Sequence, residues 1–213
     1  MTHKNSHSIH RICNFARLFG ATLLIGLLSA CNGGGDESPV PWTPSTVLPS
    51  GTATPTSSGT PTSNALTAAN SCSITAFQAS VIAEVNRRRA STQSCGSRGN
   101  FAAAGGLRWN DTLFRAAAAH ANDMVTNNFF AHIGSKGSSI SDRINAIGYS
   151  WASVGENIAA GQPTVARVVD AWMGSDGHCA NLMNPVMEEF AVACVYNTTN
   201  RSNYWVMDLA KPR

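Results

Sequence analysis

The chemistry open to this chain of 213 residues rests on few side chains. Of its six histidines, only His120, His132 and His178 lie beyond the first 31 residues. Imidazole exchanges protons near neutral pH and is the commonest side-chain ligand of transition metals. His120 falls on the apolar stripe of a helix and reads as a core histidine. His132 follows Asn128-Phe-Phe-Ala just past the end of that helix, where a histidine also balances the helix dipole. His178 sits in Ser175-Asp-Gly-His-Cys-Ala-Asn-Leu-Met, which alone reads as a turn followed by a short helix. Ser175, three residues ahead of it, invites a nucleophile-and-base reading with Glu156 as the group that orients the base. No Gly-x-Ser-x-Gly elbow accompanies it. Glu156, between Gly155 and Asn157 on a short strand, needs something to satisfy its carboxylate.

The elements that must position these groups are legible from periodicity. Ser73 can cap a helix over 75–90, with Ile74, Phe77, Val81, Ile82 and Val85 on one stripe and Arg87-Arg88-Arg89 near its C-terminus. Asn110 or Asp111 caps a second helix over 111–127, with Leu113, Ala117, His120 and Met124 on one face. A short helix over 139–147 starts at Ser139 and stops at Gly148. Residues 153–159 read as a strand, and Thr164 caps a helix over 165–174. Segments 190–196 and 203–210 read as a hairpin joined by Asn197-Thr-Thr-Asn. Helices first and a terminal hairpin later predict an α+β fold with a small antiparallel sheet between helical layers.

The N-terminal region is different in kind. Lys4, Arg11 and Arg17 precede an apolar run, Phe19 to Leu28, that is short of the roughly 20 residues of a membrane span. It reads as a signal peptide over 1–30. Its end, Leu28-Ser-Ala-Cys31, resembles the lipobox of bacterial lipoproteins, in which the cysteine is lipidated; the plainer alternative is an ordinary secretory signal with a chance cysteine. Acyl chains on Cys31 would moor the protein to a membrane. Asn at 32, by resemblance to Gram-negative sorting rules, favours the outer membrane or cell surface. Residues 31–70 are dominated by Gly, Ser, Thr and Pro and read as a disordered stalk. Residues 71–213 are left as one domain with room for a sizeable core.

Charge excludes a function class. With Lys4, Arg11 and Arg17 set aside, 12 Lys and Arg face 12 Asp and Glu, so residues 31–213 are neutral and no nucleic-acid partner is expected. Four cysteines, Cys72, Cys95, Cys179 and Cys194, remain beyond Cys31. In an exported chain an even number predicts disulfides. Of three possible pairings, the local ones, 72–95 and 179–194, are expected, each worth about 2–4 kcal/mol. The rival, a four-cysteine zinc centre, has no C-x2-C spacing to support it.

Taken in order, Trp109-Asn-Asp-x-Leu113-x3-Ala117, Phe129-Phe-Ala-His132, Gly155-Glu-Asn-Ile158, Trp172, Gly177-His178-x-x-Asn181-Leu-Met and Tyr204-Trp205 resemble the CAP superfamily: cysteine-rich secretory proteins, antigen five and pathogenesis-related proteins, and especially their bacterial single-domain members. The resemblance runs from about Phe77 to Leu209. It implies a three-layer α-β-α sandwich whose cavity is lined by two His and two Glu. The His match His132 and His178, and one Glu matches Glu156. The other Glu has no counterpart, and Ser175 or Asp176 stands at its place. Two imidazoles with a carboxylate would suit a divalent metal such as zinc, with His132 and His178 as ligands and Glu156 as ligand or support; the competing reading is a metal-free polar cavity. The resemblance points to an extracytoplasmic binding module, monomeric, with a lipid, glycan or protein ligand. A metal- or Ser/His-dependent hydrolase is the alternative. Asn157 and Asn181 are expected to hold loops, and Trp109, Trp172 and Trp205 to be core.

Overall fold

A chain with two apolar faces on its strands must cover both, and the central hairpin here has them. In strand β5 (Glu189–Asn197), Phe190, Val192 and Cys194 alternate with Ala191, Ala193 and Val195, and almost all are buried. Strand β6 (Ser202–Pro212) repeats the pattern with Trp205, Met207 and Leu209 against Tyr204, Val206 and Ala210. Burial on both faces calls for a layer of helices on each. The computed structural model describes residues 65–213, and it has this sandwich. The expected signal segment 1–30, Cys31 and most of the stalk lie outside the described residues. Among the described residues no helix is long and apolar enough to cross a membrane.

One layer holds α1 (Phe77–Arg89), α4 (Val165–Met173) and α5 (Asp176–Met183), packed on the Phe190, Cys194 and Trp205 face. The other holds α2 (Asp111–Thr126) and α3 (Ile140–Ala146), packed on the alanine-rich face. Between them β3 (Arg108–Trp109), β5, β6 and β4 (Trp151–Ala160) form one sheet in that order, with β3 parallel to β5 and the other pairs antiparallel. β4 pairs with β6 alone, which leaves one of its edges to be covered by other means. A two-stranded ribbon, β1 (Gln93–Ser94) with β2 (Asn100–Phe101), lies outside the main sheet.

The caps explain where the helices start. The Asn110 side chain accepts from the N–H groups of Thr112 and Leu113 at 2.8 and 3.1 Å and so opens α2. Ser139 and Asp142 form a reciprocal capping box at α3, and Thr164 caps α4. The expected Ser73 cap is not used. Cys72, Ser73 and Ala76 all have positive φ, and α1 starts only at Phe77. The chain turns there because Cys72 is tied to the middle of the sheet, its N–H donating to the Cys194 carbonyl at 3.0 Å.

That tie corrects the expected disulfides. The bridges are Cys72–Cys194 and Cys95–Cys179, spanning 122 and 84 residues, rather than 72–95 and 179–194. Cys194 belongs to β5 and Cys179 to α5, so the sequence-local partner of each lies in a different element. Bridge length along the chain said nothing about which elements pack.

Arg89 is the other departure. It was grouped with Arg87 and Arg88 as a dipole partner, and those two do pair with Glu84 near the surface. Arg89 is instead 1% exposed and donates to the carbonyls of Gly105 (2.7 Å), Leu182 (2.7 Å) and Asn184 (3.0 Å). It thus closes the C-terminal turn of α5, whose last carbonyls have no partner within the helix. Replacing it by methionine fills the space without the donors. We expect Arg89→Met to lose about 3 kcal/mol or more in urea unfolding, because several buried carbonyls are left unpaired together.

Candidate functional site

The loop after α2 carries His132, and it is held by short polar contacts. The Asp123 carboxylate accepts from Ser135 N–H at 2.8 Å and from the Ser135 hydroxyl at 2.6 Å. Gly134 leaves room there: a Cβ would stand 2.5 Å from the Ser138 hydroxyl, which would have to move. Arg143, on α3, donates to the carbonyls of His132 (3.1 Å) and Ser138 (2.8 Å). Its other nitrogen donates to Glu156 Oε2 at 2.5 Å. Glu156 projects from β4 toward this layer and is almost fully buried, with 3% of its side chain exposed.

His132 Nδ1 stands 2.7 Å from Glu156 Oε1. Burial alone would raise the Glu156 pKa, but the His132 hydrogen bond and the Arg143 charge outweigh it and hold the carboxyl below its usual range. An ionised carboxylate only accepts, so Nδ1 carries the proton, and whenever the ring is neutral Nε2 is its basic nitrogen. His120 sits under this group, 1% exposed, with Nε2 3.0 Å from the Ala131 carbonyl and 4.0 Å from Glu156 Oε2. Desolvation lowers its pKa despite the nearby carboxylate, so it is a neutral ring within the core, as its stripe position suggested.

His178 comes from the opposite layer. Its ring lies 6.5 Å, centroid to centroid, from that of His132. α5 belongs to one helical layer and the His132 loop to the other, so the two imidazoles meet at the unpaired edge of β4. Ser175 precedes α5 as its N-cap residue, and its carbonyl accepts from Cys179 N–H at 2.8 Å. Asp176 is exposed, and its carboxylate accepts from the N–H (2.8 Å) and hydroxyl (2.6 Å) of Ser97, in the turn that follows Cys95. His132, Glu156 and His178 are therefore brought together, while the Asp176 carboxylate is engaged by Ser97.

Sequence reasoning passed over two members of this group. Arg143 lies on the short helix over 139–147, with nothing in its sequence neighbourhood to mark it. Asp208 lies in the apolar run of β6, directly opposite Glu156 in the β4–β6 register, with no exposure. Neither of its oxygens has a hydrogen-bond partner among the described residues. Burial, then the Glu156 charge, push its pKa well up, which favours the protonated acid beside Glu156. An aspartate at a mid-strand position between buried apolar neighbours was the signal that could have exposed it.

The donor set can be tested against zinc. Two imidazoles sharing one zinc at about 2.0–2.1 Å bring their centroids to about 5 Å, so the pair, at 6.5 Å, must close by roughly 1.5 Å. Both Glu156 oxygens are already engaged, by His132 and Arg143, so Glu156 fits as the support of His132 rather than as a ligand. Among the described residues no group of three or more His, Cys, Asp and Glu is arranged to hold a metal ion. The residues that would hold such an ion are His132 and His178, with Glu156 behind His132.

A family model described as CAP, the cysteine-rich secretory protein family, matches residues 82–209, more than half of the chain. The chain is 39% identical over 89 residues to the uncharacterized protein YkwD of Bacillus subtilis, covering 42% of this chain and 35% of that protein. It is 31% identical over 101 residues to the uncharacterized membrane protein YlbC of the same organism, covering 46% and 29%. The chain thus spans about a third of the length of these curated relatives. Among solved structures, an extracellular protein containing a SCP domain from Bacillus anthracis is similar at 26% identity and a TM-score of 0.46, over 51% of this chain and 34% of that one.

Proposed function

Because the chain belongs to the cysteine-rich secretory protein (CAP) family, we propose that it is an exported binding module, moored to the cell envelope through lipid on Cys31, whose His132/His178 pair takes a divalent metal. The observation that carries the reading is the 2.7 Å contact of His132 with a buried, ionised Glu156. A carboxylate behind one ring nitrogen fixes the tautomer and raises the basicity of the other, the usual arrangement behind a metal-bound imidazole. His132 keeps 36% of its side chain exposed, which leaves a ligand or a metal a way in. A bound metal would act there as a Lewis acid, and this chain's part is to orient the two rings. A serine hydrolase would need Glu156 behind His178, whereas its oxygens are taken up by His132 and Arg143. Binding without catalysis therefore accounts for the arrangement more simply.

The test is calorimetric titration of the full-length chain with zinc. Wild type is expected to bind one equivalent, and the His132→Ala/His178→Ala double variant none. Equal heats for the two proteins would sink the metal assignment.

A further inference from the structure

We propose that Asn157 and Asn181 are the positioning residues of this site, and that they set the separation of the two imidazoles by gripping each other's strand and helix. The inference rests on the reading that His132 and His178 act together. Asn157 follows Glu156 on β4 but faces the opposite layer, and it is fully buried. Its amide donates to the carbonyl of His178 at 3.0 Å. Asn181, one turn along α5 from His178, returns the contact: its amide donates to the carbonyl of Glu156 at 3.2 Å and to Asn157 Oδ1 at 3.0 Å. Each asparagine thus stands near one site residue in sequence and holds the backbone of the other.

The chemistry explains why both are amides. Asn181 uses both of its N–H groups on acceptors, which only an amide with a free NH2 can do at that length. Asn157 must accept from Asn181 and donate to His178 at once. Aspartate could do neither donation, and serine is too short to span the gap. The Glu156 carbonyl also points away from β6, along the open edge of β4, so it would lack a partner without Asn181. Two residues along that edge, the Ile158 carbonyl is met in the same way by Trp172 Nε1 at 3.2 Å. The edge is therefore sealed by side chains of α4 and α5 rather than by another strand, and the seal at Glu156 is the one that also fixes His178. An eight-residue helix has little intrinsic stability, so its placement depends on such fastenings.

The experiment compares full-length wild type with Asn181→Ala, Asn157→Ala and, as a control, Asn86→Ala. Asn86 makes an equivalent pair of backbone contacts to Leu107, at 2.7 and 3.0 Å, in a different part of the fold. The readout is the NMR signals of the His132 and His178 rings and the cross-relaxation between them, followed by zinc affinity. Asn181→Ala is expected to shift both rings, to cut their cross-relaxation by at least about half and to weaken zinc binding by about tenfold or more. Asn86→Ala is expected to lower the melting temperature and leave the ring signals in place. Unmoved rings in folded Asn181→Ala, or equal movement in Asn86→Ala, would overturn the proposal. Asn181 is only half-buried, so its variant keeps the test open should the buried Asn157→Ala not fold. If wild type takes up no zinc, the metal assignment falls on its own, and the ring signals still decide the role of the asparagines.

Discussion

Removing the Cys72–Cys194 bridge by the double substitution Cys72→Ser/Cys194→Ser will lower the unfolding free energy by about 4–5 kcal/mol. The bridge spans 122 residues, and a cross-link over a loop of that length raises the free energy of the unfolded chain by about that much, because it removes conformational entropy. For a domain of this size the loss corresponds to a fall of roughly 10–15 °C in melting temperature. The effect has a structural component as well. Cys194 is fully buried at the centre of β5, and Ser71 beside the bridge pairs with it. The expected local pairing would have closed much shorter loops and stabilised less. Guanidinium unfolding of wild type and variant under non-reducing conditions checks the figure. A loss below about 1 kcal/mol would mean that the bridge is absent from the folded protein, and non-reducing peptide mapping would then show different partners.

The second large effect belongs to Glu156. Its carboxylate neutralises Arg143, whose side chain is 9% exposed, and orients His132. Breaking a buried ion pair by removing one partner leaves the other charge uncompensated, at about 3–5 kcal/mol. Glu156→Gln is expected to fall in that range near neutral pH while keeping much of the shape. The pH dependence gives a sharper test. The Glu156 pKa is depressed in the fold below the ordinary 4.5, so its stabilisation is complete above the unfolded value and lost as pH falls through the folded one. His120 acts in the same direction: its folded pKa lies below 6.5, so the neutral ring begins to oppose folding as pH drops below that value. Asp208 acts oppositely. Its folded pKa is raised above 3.8, so its contribution is complete below that value and lost as pH rises toward the folded one. The Gln variant should therefore show a shallower loss of stability in acid than wild type. It should also ease the burden on Asp208, since the neighbouring charge that helps keep it protonated is gone. Urea unfolding from pH 3 to 7 measures both. Parallel curves for wild type and variant would show that Glu156 does not carry the acid sensitivity.

How far the fold was legible depends on the range of the interactions concerned. Asn110, Ser139 and Thr164 announce their helices because a cap is a contact with residues two or three positions on, and the hairpin of β5 and β6 is carried by alternation within each strand. Cys72, Arg89 and Arg143 were misjudged or missed because their partners lie in other elements. Arg89 continues the Phe77, Val81, Val85 stripe at i+4, which sets it apart from Arg87 and Arg88, but only the arrival of α5 makes it a buried donor. The site itself was legible only through resemblance. Composition and spacing placed His132, Glu156 and His178 on separate elements, and it took the family pattern to suggest that they meet. What the pattern could not supply was the manner of meeting: a carboxylate shared between His132 and Arg143, and two rings reaching the open edge of β4 from opposite layers.

The Cys72–Cys194 bridge has a mechanical meaning too. A pull applied between the two ends of the domain enters at the residues before Cys72, crosses the sulfur link to β5 and leaves through β6. Every residue from Ser73 to Ala193 hangs as a covalently closed side loop off that load path. His132, Arg143, Glu156 and His178 all lie inside it. Stretching the protein would first have to shear β6 from β4 and β5, and the loop bearing the imidazole pair would feel the load only through those strand pairings, not along its own covalent chain.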